Sequence, residues 1–287
     1  MRMSTDETSD EEVALETIAA AAAGGITVFD TARAYGDNER LLARGLRRSG
    51  ADAGGARIVT KGGMTRADGR WIPDGRAKTI RADCEASLAA LDGLEIDLYL
   101  IHAPDRRTPW RTSLRALARL VDEQLVRGVG LANVNRRQLD EALELAPVTA
   151  VQVALSPYDD TALRGGVVDR CAEAGIAVIA HSPLGGVRRA GRLARHQELA
   201  AVAAARSATP AEVTLAWLLE LSPAIVAIPG ARRPETARSA ARACATNSVA
   251  LIIPCHRFIG SDGKMHGFYW GLDVKEWLLA HEERFSR

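Results

Sequence analysis

The stretch GITVFDTARAYG, residues 25–36, begins with an apolar run of strand length that ends at Asp30, and Tyr35 follows shortly after. Two later apolar runs also end at a polar side chain, RIVT at Lys61 and IDLYLI at His102. Stretches of helical period separate these runs, and this alternation is typical of parallel strands joined by right-handed crossovers. Barrel enzymes build their sites at the carboxyl ends of such strands. The sequence therefore predicts an α/β fold of the (β/α)₈ TIM-barrel type.

The count of strands predicts that this barrel lacks its first strand. Apolar runs of strand length lie at 26–29, 57–60, 96–101, 126–131, 148–155, 176–180 and 224–228. A closed barrel of this type has eight strands, and the polar segment 1–5 is too short to supply the missing one. We expect the two flanking strands to have unpaired edges. The first helix is expected to begin with the capping-box spacing Ser9-x-x-Glu12.

The overall composition is that of a soluble globular protein. Of 287 residues, 47% are hydrophobic and 25% charged, and 37 basic against 36 acidic residues give a net charge of +1. Such a balance provides no long-range field to attract DNA or an anionic membrane. No apolar run approaches the roughly 20 residues that span a bilayer, so a cytoplasmic location without a membrane partner is expected. The scattered cysteines, Cys84, Cys171, Cys244 and Cys255, lack the spacing of metal ligands and are expected to be reduced thiols, with no metal site.

The composition changes near residue 243. Six of the 13 aromatic residues lie after that point, whereas alanine is dense before it. We therefore predict two units, a barrel over residues 1–243 and a second segment over 244–287.

The residues at the predicted strand ends suit the reduction of a carbonyl group. Tyr35 is the candidate proton donor, and a nearby Lys61 ammonium would lower its ordinary pKa of about 10. Asp30 would hold Lys61 by a charge-assisted hydrogen bond, and His102 would orient the substrate oxygen. A single Tyr or Lys at a strand end is usually structural, but four compatible residues at three successive strand ends favour a catalytic site. General acid catalysis of this kind contributes about 10²- to 10⁴-fold.

On these residues, the segment 9–243 resembles the aldo-keto reductases. Asp30, Tyr35, Lys61 and His102 match the catalytic tetrad of that family. The resemblance implies a barrel that binds NADP(H) and reduces an aldehyde or ketone, a small carbonyl substrate, to an alcohol. It does not name that substrate or an oligomeric state. The loop 63–75 is expected to influence specificity, and its Trp71 either lines the pocket or covers it.

The resemblance also implies a set of cofactor-binding residues. Asn133 and Gln152 match residues that hold the nicotinamide carboxamide, and Ser182 and Leu184 fall where the pyrophosphate loop lies. His181 stands where the family commonly has an aromatic ring stacked on the nicotinamide, and imidazole offers less area for stacking.

The sequence also predicts a phosphate-binding site after the last predicted strand. IPGARRP, residues 228–234, ends an apolar run and begins a helix near Pro234, where free backbone N–H groups favour anions. Gly230 lies in this loop, and Arg232 and Arg233 add positive charge. Arg233 resembles the family's residue that meets the 2′-phosphate of NADP. A solvated arginine pair at a helix start is the alternative interpretation.

The tail carries a different motif, PCHR at residues 254–257. An imidazole beside a thiol can lower the pKa of the thiol and take its proton. With its flanks, the motif resembles the C-terminal end of O6-alkylguanine-DNA alkyltransferases, also called methylated-DNA-protein-cysteine methyltransferases. That resemblance implies Cys255 as alkyl acceptor, His256 as its base, Glu282 as the group orienting the histidine and Asn247 as a hinge. Arg238 falls where that family has an arginine finger, but it belongs to the last barrel helix.

Three alternatives follow for function. In that family, a strand and the first helix of a helix-turn-helix precede the motif. The tail has no counterpart of either element. Reduction of a carbonyl is therefore the first expectation, and DNA repair by alkyl transfer to Cys255, with DNA as partner, is the alternative. A truncated fusion with neither activity is the third. In a structural role, residues 249–253 would pair with a free barrel edge and fill part of the missing strand's place.

Overall fold

Parallel strands form the central layer of the fold. The computed structural model describes residues 10–50, 55–206 and 208–245. Their strands are Val28–Asp30 (β1), Arg57–Gly62 (β2), Met64–Ala67 (β3), Arg70–Pro73 (β4), Leu98–Ile101 (β5), Val129–Ala132 (β6), Val148–Ala154 (β7), Ala177–His181 (β8) and Ile225–Ile228 (β9). Seven pair in parallel in the order β1-β2-β5-β6-β7-β8-β9, and β3 pairs with β4 in a separate antiparallel hairpin.

Helices connect successive parallel strands. They are Glu11–Ala23 (α1), Asn38–Arg48 (α2), Ala77–Leu91 (α3), Trp110–Asp122 (α4), Arg136–Leu143 (α5), Thr161–Arg164 (α6), Val167–Ala174 (α7), Gly186–Arg189 (α8), Gln197–Ala205 (α9), Pro210–Glu220 (α10) and Pro234–Ala245 (α11). The predicted cap of α1 is corrected, because the helix begins after Asp10, whose carboxylate accepts a hydrogen bond from the backbone N–H of Glu12 at 2.9 Å. The Asp10 side chain thus caps the helix at the backbone N–H two residues ahead, in place of the predicted capping box. Ser9 lies outside the described residues.

The strands curve into a nearly closed barrel, as predicted. Within the described residues, β1 pairs only with β2 and β9 only with β8. On the outside, α1 packs against α2 on one side and against α11 on the other. The helical layer therefore continues past the break in the sheet. Among these helices none is long and apolar enough to cross a membrane.

The core has two layers because alternate strand residues face opposite sides of the sheet. On β5, Leu98 and Leu100 point into a small interior cluster, whereas Tyr99 and Ile101 point outward into the larger cluster between sheet and helices. Close packing leaves no room for a side chain at Gly62, where a Cβ would overlap the Tyr99 hydroxyl. Burial on both faces explains the near-continuous apolar runs of the strand sequences.

The segment 63–75, predicted as a loop, contains the hairpin β3–β4. Its two-residue turn is Asp68-Gly69, with φ of 50° and 73°. An Asp-Gly pair suits this type of turn because both central residues need positive φ. The base of the hairpin is held by Asp105, which accepts a hydrogen bond from the backbone N–H of Gly75 at 3.1 Å. The hairpin places Trp71 beside the carboxyl ends of the strands.

Candidate active site

A buried ion pair lies at the carboxyl ends of β1 and β2. The Lys61 Nζ donates to both carboxylate oxygens of Asp30 and to the carbonyl oxygen of Thr31, each at 2.7 Å. The Lys61 side chain is 1% exposed and that of Asp30 9%. Burial raises the pKa of the Asp30 carboxyl, but the Lys61 charge and the hydrogen bonds from Lys61 and Gln152 act together against burial and hold the pKa below its ordinary value. The pair is therefore charged and largely shielded from water.

Aromatic rings surround this pair. Tyr35 lies in a 3₁₀ turn, Arg33–Tyr35, directly after β1, and Lys61 Nζ is 5.5 Å from the centre of its ring. His102 follows β5, and its ring meets the Tyr35 ring edge-on at 5.7 Å between centroids. Trp71 of the hairpin lies 6.0 Å from Tyr35 and 5.9 Å from His102. The structure thus brings the four residues of the predicted tetrad together, with Trp71 over them.

Gln152 contacts the tetrad from the far side of the barrel. It lies on β7, is 3% exposed, and donates from Nε2 to Asp30 Oδ1 at 2.7 Å. The amide nitrogen is thus bonded to the ion pair. Its predicted role of holding the nicotinamide carboxamide stays a prediction.

Asn133 and His181 form a polar rim above this layer. Asn133 follows β6 with φ of 57°, a conformation that costs energy for a residue other than glycine and is often found at functional sites. Its Nδ2 donates to the carbonyl oxygen of His102 at 3.0 Å, and its Oδ1 lies 3.2 Å from His181 Nε2. Ser182, which also has a positive φ of 54°, lies with its Oγ 3.2 Å from His181 Nδ1. These contacts align two predicted cofactor residues, Asn133 and Ser182, with His181 along one rim.

A cavity of about 770 Å³ opens beside this rim. Its walls are Trp71, Ala154, Ser156, Tyr158, Asp159, Ser182, Gly185, Gly186, Arg189 and Arg192. Gly185 is required by space as well as by its φ of 84°, because a Cβ there would lie 2.5 Å from the Tyr158 ring. The Arg189 guanidinium lies over that ring, 5.5 Å from its centre. The predicted residue Leu184 is half-buried between Ser182 and Gly185 and is not part of the walls.

Arg189, Arg192 and Tyr158 line the cavity but were not predicted from the sequence. A signal was present, because Arg188, Arg189, Arg192 and Arg195 follow the glycine pair within a few residues. Positive charge directly after a glycine-rich turn is typical of a site for an anion.

The structure places the predicted phosphate loop at the end of β9. Gly230, Arg232 and Arg233 are exposed there, directly before α11 begins at Pro234. These three residues do not contribute to the walls of the cavity. Their contact with a phosphate stays a prediction.

The residues of the tail motif, Asn247, Cys255, His256 and Glu282, lie outside the described residues. Arg238 is described, and it lies exposed on α11 as part of the barrel. Within the described part of the chain, no group of three or more His, Cys, Asp or Glu side chains is placed to hold a metal ion.

The parallel barrel with polar side chains at its carboxyl strand ends is the architecture of a barrel enzyme. The chain belongs to the aldo/keto reductase family, whose model matches residues 1–250. A model of the DNA-binding domain of 6-O-methylguanine DNA methyltransferase matches residues 228–284. Both predicted resemblances are therefore confirmed, and the two matches overlap over residues 228–250, which include α11.

Individual relatives agree with this assignment. Aldo-keto reductase str7 of Strobilurus tenacellus is 29% identical over 256 residues, which cover 79% of this chain and 74% of that protein. The solved structure of the thermostable aldo-keto reductase Tm1743 with the inhibitor epalrestat is 29% identical, with a TM-score of 0.70 over 88% of this chain and 90% of that one. An aldo/keto reductase from Klebsiella pneumoniae, solved with NADP and acetate, shares the fold at 24% identity and a TM-score of 0.70, over 83% of this chain and 82% of that one.

Proposed function

We propose that the barrel reduces an aldehyde or ketone with NADPH and that Tyr35 donates the proton. The observation that carries this proposal is the buried Asp30–Lys61 pair beside the Tyr35 ring. Removing the phenol proton creates a negative charge, and the fixed ammonium 5.5 Å from the ring centre stabilises that charge. Asp30 holds the Lys61 Nζ in place by two hydrogen bonds of 2.7 Å, and the edge of the His102 ring limits where a carbonyl oxygen can approach Tyr35.

The residues around the cavity fit a nicotinamide dinucleotide. The cavity adjoins the tetrad at Trp71, glycines form one wall, and Arg189 and Arg192 supply positive charge for a pyrophosphate. Asn133, His181 and Ser182 line the rim between these arginines and the tetrad. When bound, the cofactor supplies the hydride to the carbonyl carbon. The similar structure from Klebsiella pneumoniae was solved with NADP and acetate, which supports the choice of this cofactor.

The preference for NADP over NAD is assigned to Arg233, with Arg232 beside it. Both guanidinium groups lie exposed at the start of α11, where they are able to meet a 2′-phosphate. We expect Arg233→Ala to raise KM for NADPH while KM for NADH stays unchanged. Equal changes for both cofactors would remove this assignment.

The test of catalysis is NADPH oxidation with a panel of aldehydes and ketones. Tyr35→Phe should lower kcat by about 10²- to 10⁴-fold without loss of folded structure. The matched control is Tyr99→Phe, which removes a buried hydroxyl that donates to the Ile80 carbonyl in the outer layer. Activity retained in Tyr35→Phe would refute the role of Tyr35.

A second function is favoured by the match of residues 228–284 to the methyltransferase domain. In this proposal Cys255 attacks the alkyl carbon of an O6-alkylguanine, so that an S–C bond forms and the O–C bond breaks, and guanine takes up a proton. His256 accepts the thiol proton, Glu282 orients His256, and Asn247 forms the hinge. Labelling by a benzylguanine probe tests it, with Cys255→Ala expected to abolish labelling and Cys244→Ala to retain it. No labelling in this assay and no NADPH oxidation in the reductase assay would favour a fusion with neither activity.

A further inference from the structure

The first turn of α2 buries two polar side chains. Asn38 is 4% exposed and Glu39 0%. Glu39 continues the buried helical stripe of Leu42 and Leu46, which faces the core. A carboxyl group therefore occupies a position where packing alone favours an apolar side chain.

Glu39 bonds to the residue that precedes Lys61 on β2. Its Oε1 accepts a hydrogen bond from the Thr60 Oγ1 at 2.6 Å, and Thr60 is also 0% exposed. Because alternate residues of a strand point to opposite faces, the Thr60 side chain is directed outward to α2 and that of Lys61 inward to the site. The bond between Glu39 and Thr60 thus holds β2 next to the residue that carries the ammonium group.

Asn38 bonds to the residue that follows Asp30. Its Nδ2 donates to the Thr31 Oγ1 at 2.9 Å, and the Thr31 carbonyl oxygen accepts a hydrogen bond from the Lys61 Nζ at 2.7 Å. Tyr35 lies three residues before Asn38, in the turn that leads into α2. The start of one helix is therefore connected to the Tyr35 turn, to the end of β1 and to the end of β2.

The stability of the helix does not explain the Glu39 carboxyl group. Acidic residues in a first turn interact favourably with the free backbone N–H groups there, but this interaction does not require burial. The Glu39 Oε2 is shielded from solvent and has no hydrogen-bond partner among the described residues. Because a buried polar atom without a partner lowers stability, a role other than stability accounts for a carboxyl group at this position.

We propose that Glu39 is a positioning residue, which acts through Thr60 to hold Lys61 beside Tyr35 for transfer of the proton. This rests on the proposed reductase function. The Lys61 Nζ lies 5.5 Å from the centre of the Tyr35 ring, and a charge that stabilises a phenolate is most effective when it is fixed before the proton leaves. A displacement of about 1 Å, caused by a residue remote from the reacting atoms, costs about 10²-fold in rate.

The double variant Glu39→Met/Thr60→Val tests this role. Both substitutions keep much of the shape of the buried groups, and replacing both partners of a buried hydrogen bond by apolar groups is nearly neutral for stability. We expect a melting temperature that is not lowered, a kcat lowered about 10- to 100-fold and an unchanged KM for NADPH. An unchanged kcat in the folded double variant would overturn the proposal.

Single variants separate positioning from packing. Thr60→Ser keeps the hydroxyl and loses a methyl group, so it should retain most of the kcat that Thr60→Val loses. The matched control is Thr17→Val, which removes an equally buried hydroxyl that donates to the Val13 carbonyl oxygen at 2.7 Å on α1, and kcat should not change. Equal losses of kcat in Thr60→Ser and Thr60→Val would assign the effect to packing and overturn the proposal.

Nuclear magnetic resonance of the Lys61 ammonium group gives a readout that does not depend on activity. The other lysines of the chain are Lys78, Lys264 and Lys275, and replacing them by arginine leaves a single lysine signal. Its protons should exchange slowly with water, because the side chain is 1% exposed, and at least about tenfold faster in the double variant.

This exchange rate distinguishes failure of the positioning role from failure of the reductase function. Unchanged exchange of the Lys61 protons in the double variant would overturn the positioning role, whether or not the chain reduces a carbonyl. Faster exchange in a chain that oxidises no NADPH with any carbonyl would support the hold of Glu39 on Lys61 and count against the reductase function alone.

Discussion

Replacing Lys61 by methionine should expose how much of the barrel's stability depends on the buried ion pair. The substitution keeps most of the side-chain volume but removes an ammonium that makes three hydrogen bonds of 2.7 Å. Asp30 would keep its bond to Gln152 and lose the compensating charge in a site where it is 9% exposed. Breaking a buried pair in this way costs about 3–5 kcal/mol, a large part of the roughly 5–15 kcal/mol that stabilises a domain.

The loss should depend on pH. In the unsubstituted protein the Asp30 pKa is lowered, so the pair stabilises the fold above the ordinary carboxyl pKa of 3.8, and this contribution disappears as the pH falls through the lower pKa of the folded state. In Lys61→Met, burial acts without the ammonium and raises the pKa of Asp30. The difference between the two proteins is therefore largest at neutral pH and shrinks in acid, where Asp30 takes up a proton.

Urea denaturation followed by circular dichroism measures this difference. Lys78→Met, at an exposed position on α3, is the matched control and should change the free energy of unfolding by less than about 0.5 kcal/mol. The double variant Asp30→Asn/Lys61→Met should be more stable than the sum of the single losses implies, by about 1–3 kcal/mol. A loss below about 1 kcal/mol that does not vary with pH is the behaviour of a solvated pair and would refute the reasoning.

Three further substitutions probe the surroundings of the site. Asp105→Asn should cost about 1–3 kcal/mol at neutral pH in urea denaturation. Burial raises the pKa of Asp105, but hydrogen bonds from two backbone N–H groups and from the Thr108 and Arg107 side chains outweigh burial and lower the pKa to about 2. The cost should therefore fade as the pH approaches that value, and a constant cost would contradict this reasoning. Gly62→Ala should cost about 1–3 kcal/mol, because its Cβ overlaps the Tyr99 hydroxyl, and an unchanged melting temperature would contradict it. Trp71→Ala should raise KM for the carbonyl substrate roughly 2- to 10-fold. Trp217→Ala, on the outer helix α10, should leave KM unchanged. Equal effects of the two substitutions on KM would contradict a place for Trp71 in the substrate pocket.

The parts of the fold that could be predicted are those governed by local rules. Apolar runs buried on both faces identified all seven barrel strands. The rule that sites lie at carboxyl strand ends was sufficient to predict that Asp30, Lys61 and His102 lie close together. The hairpin β3–β4 could also have been predicted from the sequence, because the pair Asp68-Gly69 strongly favours a hairpin turn. It was predicted as a loop because MTRA and RWIP contain charged residues and no apolar run of strand length.

Contacts between distant parts of the chain could not be predicted. Gln152 lies 122 positions from Asp30, and no local pattern relates the two. The same is true of Arg189, whose place over the Tyr158 ring depends on how the connections after β7 and β8 fold over each other. Local sequence therefore determines which side chains reach the carboxyl-end face, and the packing of connections determines what each one contacts there.

The position of the break also affects the site itself. Asp30 ends the edge strand β1, so one of its two strand neighbours is absent within the described residues. Its carboxylate is held instead by Lys61 from β2 and by Gln152 from β7, and this last bond crosses the barrel interior. Because these bonds fix the edge strand to two other walls, the position of Asp30 is determined, among the described residues, by side chains from β2 and β7.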